Sequence, residues 1–161
     1  MEVPLILKGV VFDTLSNSPV LILKDSGAER YLPIWIGLFE AQAIALKLDN
    51  IPTPRPMTHD LLNNLLKDLG IHIEKIVISD IKDNTYFAEI HLKMNDKKYV
   101  IDSRPSDAIA LAVRCDCEIF AKEEIMQKAK FFDMDSEGDE LEQLKKWLEE
   151  LDPEMLGKYK M

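Results

Sequence analysis

With 161 residues, 47% of them apolar and 30% charged, the chain is long enough for one domain with its own core, and its composition is ordinary for a globular protein. A net charge of −9 argues against tight, non-specific binding of nucleic acid, though it leaves room for an acidic site that holds such a substrate weakly. No apolar run approaches a membrane span and Met1–Pro4 lacks the basic flank of a signal peptide; Cys115 and Cys117, too close for an ordinary disulfide and without zinc-spaced partners, read as reduced thiols of a cytoplasmic protein.

Val3 to Leu15 is β-branched and apolar, and predicts a long, largely buried strand bent at Gly9. Ser16-Asn17-Ser18-Pro19 turns into a second strand, Val20 to Lys24, and Asp25-Ser26-Gly27-Ala28 closes a hairpin to a third, Arg30 to Ile36. Gly37 breaks that strand, and Phe39 to Leu48 predicts a mostly apolar helix with Glu40 in its first turn. Ile51 to Met57, with three prolines and Arg55, is a stiff connector. Thr58 is the expected N-cap of a second helix whose Leu61, Leu62, Leu65, Leu66 and Leu69 share one face, and Gly70 ends it. Strands follow over 71–81, 85–94 and 98–102, joined by Lys82-Asp83-Asn84 and Asn95-Asp96-Lys97 turns.

The stretch Asp102-Ser103-Arg104-Pro105-Ser106-Asp107 then hands a strand over to a helix with no strongly polar side chain until Arg114. Ser103 is the expected N-cap, Pro105 suits the first turn, and a helix apolar on every face belongs inside the fold. A short strand, Glu118 to Ala121, and a helix from Lys122 to about Phe131 complete a body spanning 1–132. Residues 133–161 carry ten acidic and four basic side chains, a net of −6, against −3 for the rest. They predict an acidic linker and a C-terminal helix with Leu141, Leu144, Trp147, Leu148 and Leu151 on one face.

Residues 31–48 and 99–113 share a pattern: strand, short polar break, then a helix containing Ala-Ile-Ala-Leu, each preceded by a hairpin. This predicts an α+β fold built from a duplicated three-strand-plus-helix unit, mainly antiparallel, its two alanine-rich helices packed closely. Three polar clusters then fall at helix starts: Glu40; Arg55 with Thr58, His59 and Asp60; and Asp102, Arg104, Ser106 and Asp107. If the two helices meet, Glu40 and the third cluster line one cleft. Carboxylates with His and Arg can hold Mg²⁺ or Mn²⁺ and a phosphate. An EF-hand-like start at Asp133 fails at its twelfth position, Leu144, and Walker, dinucleotide, zinc-protease and nucleophile-elbow motifs are absent.

Taken together, Leu32-Pro33-Ile34-Trp35-Ile36-Gly37 with Glu40-Ala41, then Arg55-Pro56 with Thr58-His59-Asp60-Leu61-Leu62, then Asp102 to Ala112 resemble the bifunctional nuclease (BFN) domain over roughly residues 5–130. The resemblance implies an α+β domain, hydrolysis of phosphodiester bonds in DNA and RNA, and self-association; the long apolar first strand and the amphipathic terminal helix both call for cover, which predicts a homo-oligomer, most simply a twofold dimer. It marks Glu40, Arg55, Thr58, His59, Asp60, Asp102, Arg104, Ser106 and Asp107 as motif residues. In the nuclease reading, Asp60, Asp102 and Asp107 supply metal oxygens, His59 or Glu40 is the base, and Arg55 and Arg104, with Thr58 and Ser106, hold the substrate. The other reading is a non-catalytic oligomeric module that binds an anionic metabolite or a partner protein, which the acidic balance favours.

Overall fold

The computed structural model describes residues 1–131 and, beyond them, Lys146 alone. Eight strands form one sheet: β1 (Glu2–Asp13), β2 (Ser18–Asp25), β3 (Arg30–Trp35), β4 (Ile71–Lys82), β5 (Thr85–Met94), β6 (Lys97–Ser103), β7 (Glu118–Lys122) and β8 (Lys130–Phe131). Their order is β6-β5-β4-β7-β1-β2-β3-β8, antiparallel throughout except where β7 runs parallel to β4. The fold is α+β, as the pattern of elements predicts. Two meanders, β1-β2-β3 and β4-β5-β6, lie either side of the short β7, which stitches them into a single sheet.

Alternation explains which face is covered. In β5, Tyr86, Ala88, Ile90 and Leu92 are buried while Phe87, Glu89 and His91 point the other way, the period of two expected of a strand covered on one side. Ile76 and Ile78 of β4, Leu21 and Leu23 of β2, and Leu32 and Ile34 of β3 continue the same core. The expected bend at Gly9 is present as a register shift between Leu7 and Gly9, with Gly9 at φ 144°, a conformation that L side chains resist. The buried carboxylates Asp13 and Asp25 belong to the scaffold. Asp13 accepts from the Trp35 indole at 3.0 Å and the Ser16 hydroxyl at 2.7 Å, and Asp25 accepts from Arg30, which also reaches Glu123.

Among residues 1–131 four helices accompany the sheet: α1 (Leu38–Leu48), α2 (Thr58–Asp68), α3 (Pro105–Cys115) and the single turn α4 (Glu123–Met126). α3 is central. Ala108, Ile109, Ala110, Leu111 and Ala112 are at most 2% exposed, so this helix is enclosed on nearly every side, as its lack of a polar face predicts. Its alanines bring it against α1, and it also packs on α2, β4 and β5. Three details depart from expectation. The N-cap of α3 is Arg104, because the Ser103 hydroxyl donates to the Arg104 carbonyl at 2.9 Å instead of accepting from the helix. The N-cap of α2 is Met57, with Asp60 accepting from its backbone N–H at 3.0 Å and Thr58 already in the first turn. The helix expected over 122–131 is one turn, after which the chain extends as β8 to pair with β3, whose ladder groups need a partner there. The acidic linker and C-terminal helix lie outside the described residues.

Candidate active site

Three helix N-termini converge because their helices pack on one another over the same face of the sheet. Gly37 precedes α1, and a Cβ there would collide with the Glu40 carboxylate, so the absence of a side chain gives Glu40 its place over the helix start. From that place Glu40 Oε1 accepts from Arg104 Nη1 at 3.0 Å. The rest of the Arg104 fork closes on Asp107, Nε to Oδ2 at 2.9 Å and Nη2 to Oδ1 at 3.1 Å, the bidentate geometry that planar guanidinium suits. His59, from the start of α2, meets the same carboxylate: its Nε2 lies 2.8 Å from Asp107 Oδ1. Glu40, His59, Arg104 and Asp107 are therefore one hydrogen-bonded cluster drawn from α1, α2 and the start of α3.

A second link runs beside it. Asp60, next to His59 on α2, accepts from Arg114 Nε at 2.7 Å. Arg114 follows Asp107 by seven residues, two turns or about 10 Å along the same face of α3. Its remaining donors go to the Ala110 carbonyl at 2.8 Å and the Ala43 carbonyl of α1 at 3.0 Å. Its side chain is 5% exposed, so this one guanidinium ties all three helices together from inside. Sequence reasoning met Arg114 only as the place where polar residues resume. The usable signal was an arginine two turns from Asp107 on an otherwise apolar helix.

The structure also separates residues that the sequence grouped. Asp102 stands opposite Glu89 in the β5–β6 ladder, and the flanking Ala88 and Ile90 are the ones that enter the helix-covered core. Asp102 therefore faces the other side of the sheet, in a cleft of about 330 Å³ with Asp80, Glu89, Lys82 and Lys122. The expected cleft thus holds Glu40 with Arg104 and Asp107 but not Asp102, because one residue of β-strand reverses the direction of a side chain. Ser106 is 1% exposed within the first turn of α3. Thr58 and Arg55 are exposed on the approach to α2. His91 pairs with Glu89 at 3.0 Å, away from the cluster.

The electrostatics follow from these contacts. Burial pushes the Asp107 carboxyl up, but hydrogen bonds from Arg104 and His59 outweigh it and hold the group below its ordinary 3.8. The Met57 backbone N–H lowers Asp60, burial opposes it, and Arg114 adds to the lowering. A carboxylate depressed in the folded state stabilises the fold above its unfolded value, and that stabilisation is lost as pH falls through the folded value. The melting temperature should therefore drop as the pH is taken below 3.8, and Asp107→Asn should flatten that acid limb in a series of melts from about pH 6 to about pH 2. An unchanged limb in the variant would show that Asp107 gains nothing from its partners.

As arranged, the donors do not compose a cation site. Asp60 and Asp107 are engaged by Arg114 and Arg104, Asp102 lies across the sheet, and among the described residues no three His, Cys, Asp or Glu side chains are placed to hold one metal ion. The cluster is instead suited to proton transfer and to anions. An ionised carboxylate only accepts, so His59 Nε2 carries the proton donated to Asp107; in a neutral imidazole the lone pair is then on Nδ1.

Among proteins of known sequence, an uncharacterized protein of Mycobacterium tuberculosis strain H37Rv is 35% identical over 155 residues, 91% of this chain and 93% of that protein. The protein named bifunctional nuclease 2 of Arabidopsis thaliana is 28% identical over 102 residues, 62% of this chain and 31% of its own length. Bifunctional nuclease 1 of Oryza sativa subsp. indica is 24% identical over 106 residues, 64% of this chain and 32% of its own. The chain thus spans about a third of the plant nucleases that it matches. The family model described as the bifunctional nuclease domain matches residues 21–133. Glu40, His59, Asp60, Arg104, Asp107 and Arg114 all fall inside that match, and the chain belongs to the bifunctional nuclease domain family.

Proposed function

We propose that the chain is a nuclease that hydrolyses phosphodiester bonds in DNA and RNA, with the His59–Asp107 pair at its centre. The observation that carries this is the 2.8 Å contact between His59 Nε2 and Asp107 Oδ1, made across two helices within a nuclease-family domain. Asp107 orients the imidazole and stabilises it when protonated, so Nδ1 can take a proton from an attacking water or hydroxyl. Arg104, with its side chain 52% exposed, can turn its fork from Asp107 and Glu40 to a phosphate, and Arg55 and Thr58 line the approach. Glu40 returns Arg104 to its resting place between turnovers. The paired charges of the cluster fit a substrate held weakly, and we place this activity in the cytoplasm. Purified chain should nick supercoiled plasmid and cut single-stranded RNA, with Asp107→Asn as the control for contaminating nuclease. The same assay with EDTA or added Mg²⁺ or Mn²⁺ reads the metal dependence. Equal cleavage by chain and variant would end the proposal.

A second reading, an oligomeric binding module, is favoured by α2. No residue of α2 is buried, and Leu61, Leu65 and Leu69 are 54%, 50% and 66% exposed. The edges of β1 are already paired, since it lies inside the sheet between β7 and β2. We propose that self-association, most simply as a homodimer, uses α2, where burying such a stripe releases water from apolar surface. Light scattering at micromolar concentration should return at least twice the chain mass, and Leu65→Glu should return the mass of one chain. A single-chain mass for the unmodified protein would remove the partner.

A further inference from the structure

Beyond the cluster of charges, the molecule holds two thiols at the far end of α3. Cys115 is the last residue of that helix and Cys117 precedes β7. A one-residue spacer in an extended chain would hold their Cα atoms apart. Asp116, however, is left-handed at φ 59° and ψ 41°. A residue in a helical-type conformation of either hand brings its neighbours' Cα atoms to roughly 5.5 Å, inside the range a disulfide spans. The Cys115 thiol donates a long bond to the Ala112 carbonyl at 3.9 Å, and the turn at Asp116 sets Cys117 beside it. Cys115 also lines a cavity of about 410 Å³ whose wall includes Lys67, His72 and Arg114, which admits a small oxidant; the Asp116 carboxylate beside it opposes the thiolate. Both cysteines are part-exposed, so neither is sealed in the core.

We propose that Cys115 and Cys117 form a redox pair, closed by hydrogen peroxide to an intramolecular disulfide. In the first step the Cys115 thiolate attacks a peroxide oxygen, the O–O bond breaks, and hydroxide leaves, giving a sulfenic acid on Cys115. In the second, the Cys117 sulfur attacks the Cys115 sulfur, its proton and the sulfenic hydroxyl leave as water, and the S–S bond forms. The thiols lose two electrons and the peroxide gains them. Cys115 is the attacking member because the hydrogen bond from the Cys117 thiol lowers it to about 7, while holding the shared proton raises Cys117. A ring this small is readily reopened by a thiol, so the change is reversible.

The test treats the full chain with hydrogen peroxide, blocks remaining thiols by alkylation, and weighs the tryptic peptide from Cys115 to Lys122. The expected product lacks two hydrogen atoms, resists alkylation, and regains both on dithiothreitol treatment. In urea the reaction should slow by roughly fivefold to tenfold, the lost thiolate being offset in part by the greater nucleophilicity of a more basic thiol. Cys117→Ser should stop at a sulfenic acid that dimedone traps on Cys115. Any of three results overturns the pair: the same rate in urea, cross-links only between chains, or no dimedone adduct on Cys115 in folded Cys117→Ser. The first two need no variant, so a misfolded mutant leaves the test intact.

Discussion

Arg114→Met should lower the free energy of unfolding by about 3 kcal/mol, and the melting temperature by roughly 6–12 °C for a domain of this size. Methionine replaces the apolar stem but none of the donors. The Asp60 carboxylate loses its 2.7 Å partner, and the Ala43 carbonyl of α1 loses the donor that held it to α3. Removing one member of a buried pair usually costs 3–5 kcal/mol; Asp60 is 31% exposed and water can partly replace the lost bond, which sets the expectation at the lower end. Urea unfolding and thermal melts measure it. Because Arg114 shares α2 and α3 with the His59–Asp107 pair, Asp60→Asn in the same background should add little further loss, as coupled neighbours do. A change below about 1 kcal/mol would show that apolar packing alone holds the three helices together.

His59→Ala should reduce phosphodiester cleavage by about 10²–10⁴-fold, the range for losing a positioned acid or base, with little change in stability. The side chain is 15% exposed and meets Asp107 through a single ring nitrogen, so the fold depends on it far less than on Arg114. His59→Gln separates the roles: an amide can keep a hydrogen bond to Asp107 but cannot take up the proton. It should restore any lost stability and none of the activity. If His59→Ala retained full turnover while Asp107→Asn abolished it, the base would have to be sought elsewhere in the cluster, with Glu40 the adjacent group. Measuring rate and melting temperature on the same preparations keeps catalysis and folding apart.

Local pattern explains why so much of the architecture was legible. Alternation in Tyr86 to Leu92, the turn residues around Asp83 and Asn95, and an unbroken apolar run in α3 each report a nearest-neighbour preference or a burial period, and these survive into the fold. The one-turn α4 did not follow, because β3 offered an unpaired edge and the chain after Met126 extended to fill it. Similarly, the caps of α2 and α3 each fell one residue from the best capping side chain. The Arg104 fork was drawn to Asp107 of its own helix and to Glu40 of α1, and the Asp60 carboxylate to the Met57 backbone N–H and Arg114 of α3, and those contacts accompany the start of each helix.

By itself, then, the sequence determined the α+β class, the burial of the alanine-rich helix and the membership of Glu40, His59, Asp60, Arg104 and Asp107 in polar helix starts, since propensity, period and motif are properties of consecutive residues. Tertiary structure alone decided which of those groups meet. Asp102 and Asp107 are five residues apart in the chain yet face opposite sides of the sheet, because a strand alternates its side chains and a helix does not. Glu40 and Arg104 are separated by 64 residues and touch at 3.0 Å, because small alanines let α1 and α3 approach. Arg114 becomes the internal tie between three helices only when they close around it: a guanidinium leaves water when a fixed carboxylate and fixed carbonyls replace its hydration, and those partners come from three separate parts of the chain.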